Sequence, residues 1–298
     1  MSERPTLVVV GGPTASGKTN AAATLAQRLD TEVISADSRQ FYRDLRIGTA
    51  RPTAEELLGV KHHFLGHLGL EETWSAGAFA RAAEPVLQDI LGRKGIAVMT
   101  GGSGLYIDAV LFGLDDLPPL DPTIREGLIQ RAAQEGLPVL VNELQRRDPA
   151  TWERIDRSNP QRVIRALEVC IGTGRPYSEQ RTDPAERDDV RIIRLSMDLP
   201  RKDLYARIDA RVDRMIAEGL VEEARRSLPF RTHNALRTVG YTELFEHFDD
   251  TVDLPTAIDR IKQHTRNYAK RQLTWLRRGS WRSFAPTNFA GMIAAVQS

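Results

Sequence analysis

Cysteine is nearly absent from this chain: among 298 residues only Cys170 carries a thiol. That excludes an internal disulfide framework and a multi-cysteine zinc site, and it suits a reducing compartment. Histidine is also sparse, with six residues. The pair at helical spacing, His63 and His67, encloses Gly66 and has no carboxylate placed to complete a zinc site, so both read as structural or surface residues. Long apolar runs are missing: nothing approaches the roughly 20 residues of a membrane helix. The chain enters a strand-like run at Leu7 with no secretory leader before it, so the expectation is a soluble cytoplasmic protein. A charge excess is lacking as well. The formal net charge is +1, so any polyanion must be held by a local patch and not by the bulk field. Repeats and low-complexity segments are absent.

What remains is ordinary globular material, 41% hydrophobic and 27% charged, enough for a sizeable core. At about 150 residues per domain the length suggests roughly two domains. Leu7 to Val10 is a β-branched run ending in Gly11-Gly12. Thr19 to Leu29 reads as a helix, and Glu32 to Ala36 and Gly95 to Thr100 as further strands. Short strands alternating with helical stretches predict an α/β fold with a parallel sheet and helices on both faces. From 115 to about 187 the periodicity is helical, which reads as an insertion. Strand character returns at Arg191 to Met197, and the rest is mostly helical with a last strand near Trp281 to Phe284. The expected organisation is therefore a core of 1–114 and 188–298 with a helical insertion at 115–187.

The segment Gly12, Pro13, Thr14, Ala15, Ser16, Gly17, Lys18, Thr19 fits the pattern G-x-x-x-x-G-K-[ST] between a strand and a helix. Glycines let the backbone wrap an anion with its N–H groups inward, and the helix start adds partial positive charge. Lys18 supplies a full charge, and Thr19 a hydroxyl able to ligate Mg²⁺. The motif points to a phosphate or diphosphate and does not choose the ligand. Asp37, in ISADSRQFY, follows the second strand and so faces the same crevice. It is a Mg²⁺ partner in a nucleotide hydrolase, a general base in group transfer to an amine, or a plain helix cap with Ser38; the residues leave these open. TGGSGLY, Thr100 to Tyr106, is a third strand-end loop, with Ser103 as its hydroxyl.

Three helical segments carry arginine or lysine. In SNPQRVIRALEVC, Asn159 caps and Pro160 opens a helix whose apolar face is Val163, Ile164, Leu167, Cys170 and Ile171, with Gln161, Arg162 and Arg165 off that face. Cys170 there is a packed small hydrophobe. In DLYARIDARVDRM, Leu204, Ile208, Val212 and Met215 form one stripe and Arg207, Arg211 and Arg214 another, with Asp209 and Asp213 as balancing charges. Between Arg260 and Arg282 there are eight basic residues and no acidic one. Lys262, Arg266 and Lys270 recur at helical spacing with Ile261, Tyr268 and Trp275 on another side, a pattern suited to RNA phosphates and exposed bases.

The ordered set GPTASGKT, ISADSRQFY, IGTARP, GGSGLY, NPQRVIRALEV, RIDARVDRM, VGY and TRNYAKRQLTW, running from Gly12 to Trp275, resembles the bacterial tRNA dimethylallyltransferase family. The resemblance implies a P-loop NTPase-like core holding dimethylallyl diphosphate, and a helical insertion gripping the tRNA anticodon stem-loop. It implies that Thr14 to Thr19 hold diphosphate and Mg²⁺, and that Asp37 takes a proton from the amine of the adenine 3′ of the anticodon. Arg211 or Arg207 steadies the leaving diphosphate. Asp37, Ser38, Arg39, Gln40, Ser103, Arg125 and Gln161 through Arg165 (with Arg162, Val163 and Ile164) contact tRNA, joined by Lys262, Arg266 and Lys270 of the basic run. Ser103 stands where many members have threonine, so the hydroxyl survives without its methyl. No cysteine/histidine zinc extension follows the basic run, as in the bacterial form. The expected partners are tRNA and the prenyl donor, with no membrane, no obligate protein partner and a monomeric state. A P-loop small-molecule kinase and a prenyltransferase acting on free AMP are the rival enzymes; a non-catalytic RNA-binding module is the rival of another kind.

Overall fold

The computed structural model describes residues 4–115, 117–118, 120–182 and 185–298. The chain divides into two compact units, Met1–Leu111 with Arg187–Ser298, and Phe112–Glu186. The first contains strands β1 (Thr6–Gly11), β2 (Val33–Ser35), β3 (His62–His63) and β4 (Ile96–Gly101), with helices α1 (Lys18–Arg28), α2 (Ala76–Lys94) and α3 (Gly104–Leu111). The second unit is α4 (Pro122–Glu135), α5 (Leu137–Arg147), α6 (Pro149–Arg154) and α7 (Pro160–Thr173). The chain then returns to the first unit with β5 (Arg191–Met197), α8 (Arg201–Ala217), α9 (Leu220–Ser227), α10 (Tyr241–Phe248), α11 (Leu254–Leu276), β6 (Arg282–Phe284) and α12 (Phe289–Gln297).

The six strands form one parallel sheet in the order β3-β2-β4-β1-β5-β6. Central strands of a parallel sheet are covered on both faces, hence their near-continuous apolar runs. Val8 and Val10 of β1, Val98 of β4 and Leu195 of β5 pack with Ala22, Leu25 and Ala26 of α1 and with Met292 and Val296 of α12. The alternate positions Leu7, Val9, Ile34 and Met99 are equally buried, and α2 packs on β4 with Phe79, Ala83, Leu87 and Ile90 in the core. The two-residue edge strand β3 escapes sequence reading, because His62-His63 has neither alternation nor length to signal a strand. In the helical unit, Leu128, Leu140, Leu144, Val163, Leu167 and Cys170 make a separate core, so Cys170 is indeed packing material.

Register places the functional loops at one level. Gly11 lies opposite both Gly101 and Ser196, so the loops after β1 and β4 begin side by side. Gly101 has no room for a side chain: a Cβ there stands 2.3 Å from the Ala36 carbonyl oxygen, where β2 ends. Gly101→Ala is expected to lower stability by roughly 1–3 kcal/mol through overpacking against backbone that cannot step aside. By contrast Gly92, with open space around it in α2, should gain about 0.5–1 kcal/mol on Gly92→Ala from helix propensity. Urea titration of the two variants checks the contrast; equal midpoints refute it.

Candidate active site

Three loops leave the C-terminal ends of β1, β2 and β4, the edge of an open α/β sheet at which ligands bind. The first wraps from Gly12 to the start of α1. Its curvature needs left-handed backbone at Ala15 (φ 64) and at Gly17 (φ 89), the latter serving as N-cap of α1 with no side-chain cap. The amides at this helix start are thereby left to an anion. Ser16 Oγ is buried and lacks a hydrogen-bond partner among the described residues. Lys18 Nζ lies 3.5 Å from the Pro13 carbonyl. Burial pulls the Lys18 ammonium down to about 8; Asp37 opposes the shift and Arg211 adds to it.

The second loop is a turn and not a helix, which removes the helix-cap reading of Asp37 and Ser38. Asp37 Oδ1 accepts from the Arg39 backbone N–H at 3.2 Å, a local Asx turn. The third loop is fastened to it: Ser103 Oγ accepts from the Ser38 N–H at 3.0 Å and lies 3.0 Å from Ser38 Oγ. The loops are therefore held to each other by serine hydroxyls in addition to the sheet beneath them.

Thr14, Lys18, Asp37 and Arg211 line a single cavity of about 530 Å³. Arg211 reaches it from α8, with Nη1 3.5 Å from Thr14 Oγ1, and burial lowers its pKa. Arg207 does not line this cavity and is exposed one turn earlier on the helix, so of the two arginines only Arg211 is at the site. The helix α8 stripe resolves in an unexpected way. Asp209 and Asp213 do not balance their neighbours on α8; they pair with Arg266 and Lys262 of α11. Helix α11 thus presents a less basic surface than the sequence suggests, because two of its cations are tied to α8 carboxylates. Lys270 is exposed, with Asn267 as its side-chain neighbour.

Several side chains expected at the RNA are already engaged within the protein. The Arg39 guanidinium donates to the Asn234, Ala235 and Arg237 carbonyls, at 2.7, 3.4 and 3.4 Å. Gln40 is buried and donates to the Thr49 and Ala50 carbonyls. Both side chains position loops around the cavity, and any RNA phosphate would have to displace these bonds. In the helical unit Val163 and Ile164 are core residues, 0% and 5% exposed, so their side chains are withheld from any ligand. Gln161 and Arg162 are exposed on the first turn of α7, whose N-cap Asn159 accepts from the Arg162 N–H. Arg125 and Arg165 share the buried Glu168 carboxylate at 2.9 and 3.0 Å, which leaves one net positive charge with outward N–H donors.

Gln272, Arg271 and Glu223 were not singled out in the sequence, and Tyr268 was named there only as an aromatic beside the basic stripe. Gln272, in the TRNYAKRQLTW stretch, is buried against the phosphate loop. Arg271 and Tyr268 line the cavity beside it, the Arg271 guanidinium 5.6 Å from the Tyr268 ring. Glu223 of α9 accepts from the backbone N–H groups of Arg46, Ile47 and Gly48 and from the Tyr241 hydroxyl, fixing the loop that places Gly48, Thr49 and Ala50 on the cavity wall. A clue was present for Gln272: it lies four residues after Tyr268, on an otherwise apolar helix face. For Glu223 there was none, since the backbone amides it holds lie 175 or more positions away.

A second void of about 10 Å³, room for roughly one water or small ion, has Thr19, Ser35, Asp37 and Thr100 in its walls, with Lys18 and His62 beside them. Burial lowers the His62 pKa, so its ring stays neutral. The side-chain oxygens around it are one carboxylate, three hydroxyls and the Gln40 amide. That set suits a hard cation that keeps most of its waters and shares substrate phosphates, and it fits no cluster of three or more acidic, histidine or cysteine ligands among the described residues. No described helix is long and apolar enough to cross a membrane.

Comparison with known proteins converges with this geometry. The family described as IPP transferase matches residues 40–279. The tRNA dimethylallyltransferase of Cytophaga hutchinsonii is 45% identical over 269 residues, covering 90% of this chain and 88% of the relative. The crystal structure of the full-length tRNA isopentenylpyrophosphate transferase from Bacillus halodurans superposes with a TM-score of 0.69 at 37% identity, covering 97% of this chain and 93% of that one. A eukaryotic dimethylallyltransferase acting on tRNA shares the fold at a TM-score of 0.79 and 24% identity, covering 98% of this chain and 76% of that one.

Proposed function

From the premise that the chain belongs to the IPP transferase family of tRNA dimethylallyltransferases, we propose how its cavity moves a prenyl group onto RNA. The enzyme transfers a dimethylallyl group from dimethylallyl diphosphate to the exocyclic amine of the adenine 3′-adjacent to the tRNA anticodon. The products are isopentenyl adenosine and diphosphate. The observation that carries the reading is the convergence of Lys18, Arg211 and Asp37 on one cavity from the start of α1, from α8 and from the loop after β2.

The amine nitrogen attacks the allylic C1, a C–N bond forms as the C1–O bond breaks, and diphosphate leaves with the bonding pair. The growing charge on the leaving group falls within the field of Lys18, Arg211 and the amides before α1. Asp37 accepts the proton that the amine loses. Thr19 is the residue that would hold Mg²⁺ on the diphosphate, where the ion would neutralise part of the leaving-group charge, and Asp37 is kept for the proton. The target base leaves its stack to reach C1, at low cost for a loop base. The exposed Lys270 and Arg271 and, from the helical unit, the exposed Gln161 and Arg162 and the half-buried Arg125 and Arg165 are the groups that we assign to the RNA. Such an enzyme works in the cytoplasm, where tRNA is processed.

The test is incorporation of radiolabelled dimethylallyl diphosphate into unmodified tRNA with Mg²⁺, beside ATP hydrolysis and free AMP as controls. Label on tRNA, lost when the adenine 3′ of the anticodon is replaced, is the expected result. ATP consumption without labelled tRNA would identify a kinase, and labelled AMP alone a nucleotide prenyltransferase.

A further inference from the structure

Helix α11 buries a polar side chain on its inner face. Gln272 is 5% exposed, between Ala269 and Leu276, which are also buried. Both ends of its amide are engaged. Oε1 accepts from the Thr14 backbone N–H at 2.8 Å, and Nε2 donates to the Gly102 carbonyl at 2.9 Å. One turn earlier the Tyr268 hydroxyl lies 3.4 Å from the same carbonyl. Thr14 belongs to the loop after β1 and Gly102 to the loop after β4, so one side chain ties the two together.

The fit at Gly102 is close. A Cβ on that residue would stand 2.2 Å from Gln272 Nε2 and 3.6 Å from Lys18 Cε. The Gln272 amide therefore occupies the place of a side chain at 102, with the Lys18 stem just beyond. The next residue, Ser103, grips Ser38 through its hydroxyl, and Ser38 adjoins Asp37. A continuous series of bonds thus runs from Thr14 through Gln272, Gly102, Ser103 and Ser38 to the base. Its two ends are the loop that holds the donor diphosphate and the loop that receives the acceptor amine.

Resting on the transferase reading, we propose that Gln272 is a positioning residue: its amide sets the spacing between the phosphate loop and the Asp37 loop. Group transfer depends on that spacing, since a misplacement of about 1 Å costs roughly 10²-fold in rate. A buried amide with both ends satisfied holds it more firmly than an apolar contact, because any slip leaves a desolvated donor or acceptor unpaired. Gln272 also forms part of the cavity wall, so a direct diphosphate ligand is the competing role, and the experiment separates the two.

Single-turnover prenyl transfer to tRNA at saturating donor, and displacement by inorganic diphosphate, are measured for wild type, Gln272→Met and Gln272→Glu. Gln272→Met keeps the length and volume and loses both bonds. It is expected to slow transfer about 10- to 100-fold while diphosphate affinity stays within about threefold. Gln272→Glu is an amide mimic only when protonated, as an acid able to accept from Thr14 and donate to Gly102. Its rate relative to wild type should therefore rise as pH falls. A wild-type rate in Gln272→Met, a loss confined to diphosphate affinity, or a Gln272→Glu ratio indifferent to pH overturns the proposal. Failure of the wild-type enzyme to prenylate tRNA would instead overturn the transferase reading.

Discussion

Asp37→Asn enzyme at pH 7 is expected to transfer the prenyl group about 10²- to 10⁴-fold more slowly than wild type, the contribution of a positioned general base. The substitution is a clean one. The asparagine carbonyl can still accept the Arg39 N–H that shapes the turn, and Ser103 still fastens Ser38, so the loop keeps its form. What disappears is a basic site and a negative charge. That charge also helps to hold the proton on Lys18, so its removal lowers the Lys18 pKa further. Donor binding should then weaken, relative to wild type, as pH rises through that lowered value, from below pH 8 upward, so the comparison at pH 7 is made with donor saturating. Single-turnover transfer within tenfold of wild type under those conditions would remove Asp37 from the role of base.

The second large effect belongs to Lys18. Burial holds its ammonium at about 8 in place of 10.5, so above pH 8 the unliganded site loses the charge that a diphosphate needs. If the donor binds only the protonated form, its apparent dissociation constant should rise about tenfold between pH 7 and pH 9. Lys18→Met should abolish that slope and cost roughly 10²- to 10³-fold in transfer, as loss of a single charge-stabilising donor does. Stability should move the opposite way. The lysine proton is bound less tightly in the folded state than in the unfolded chain, so a charged Lys18 works against folding. The penalty is full below about pH 8 and fades as pH rises towards 10.5. Unliganded Lys18→Met should therefore be more stable than wild type at pH 7, by at most about 3 kcal/mol. Isothermal titration with inorganic diphosphate across pH, beside thermal unfolding of both proteins, reads both effects. A flat binding profile with equal melting points would mean that Lys18 is neither desolvated nor facing the anion.

The α/β architecture was legible because its signals are short and local. A β-branched run before Gly-Gly, then a helical run, marks strand, turn and helix within some 20 residues, and Arg191–Met197 reappears as β5 with the same limits. The candidate site was legible in its backbone parts for the same reason. Side-chain destinations were not. Arg39 and Gln40 sit in a motif that resembles an RNA contact, yet their donors are engaged by carbonyls of the protein itself. Val163 and Ile164 lie between polar neighbours that face outward, but helix periodicity turns both into the core. That outcome follows from the 3.6-residue repeat that had already put them on the apolar face.

The phosphate loop, its helix and the alternation of strands and helices thus follow from neighbours in the chain, since a P-loop builds its anion site from consecutive amides and one lysine. Packing decided the rest. Arg211 and not Arg207 reaches Thr14 across 197 positions, and Gln272 reaches it across 258. Asp209 and Asp213 turn to α11 and leave Arg211 to the cavity. Helix periodicity narrows each choice to a face. Only the angle and depth at which one helix meets another determine which residue on that face is desolvated beside Lys18 and which remains in water.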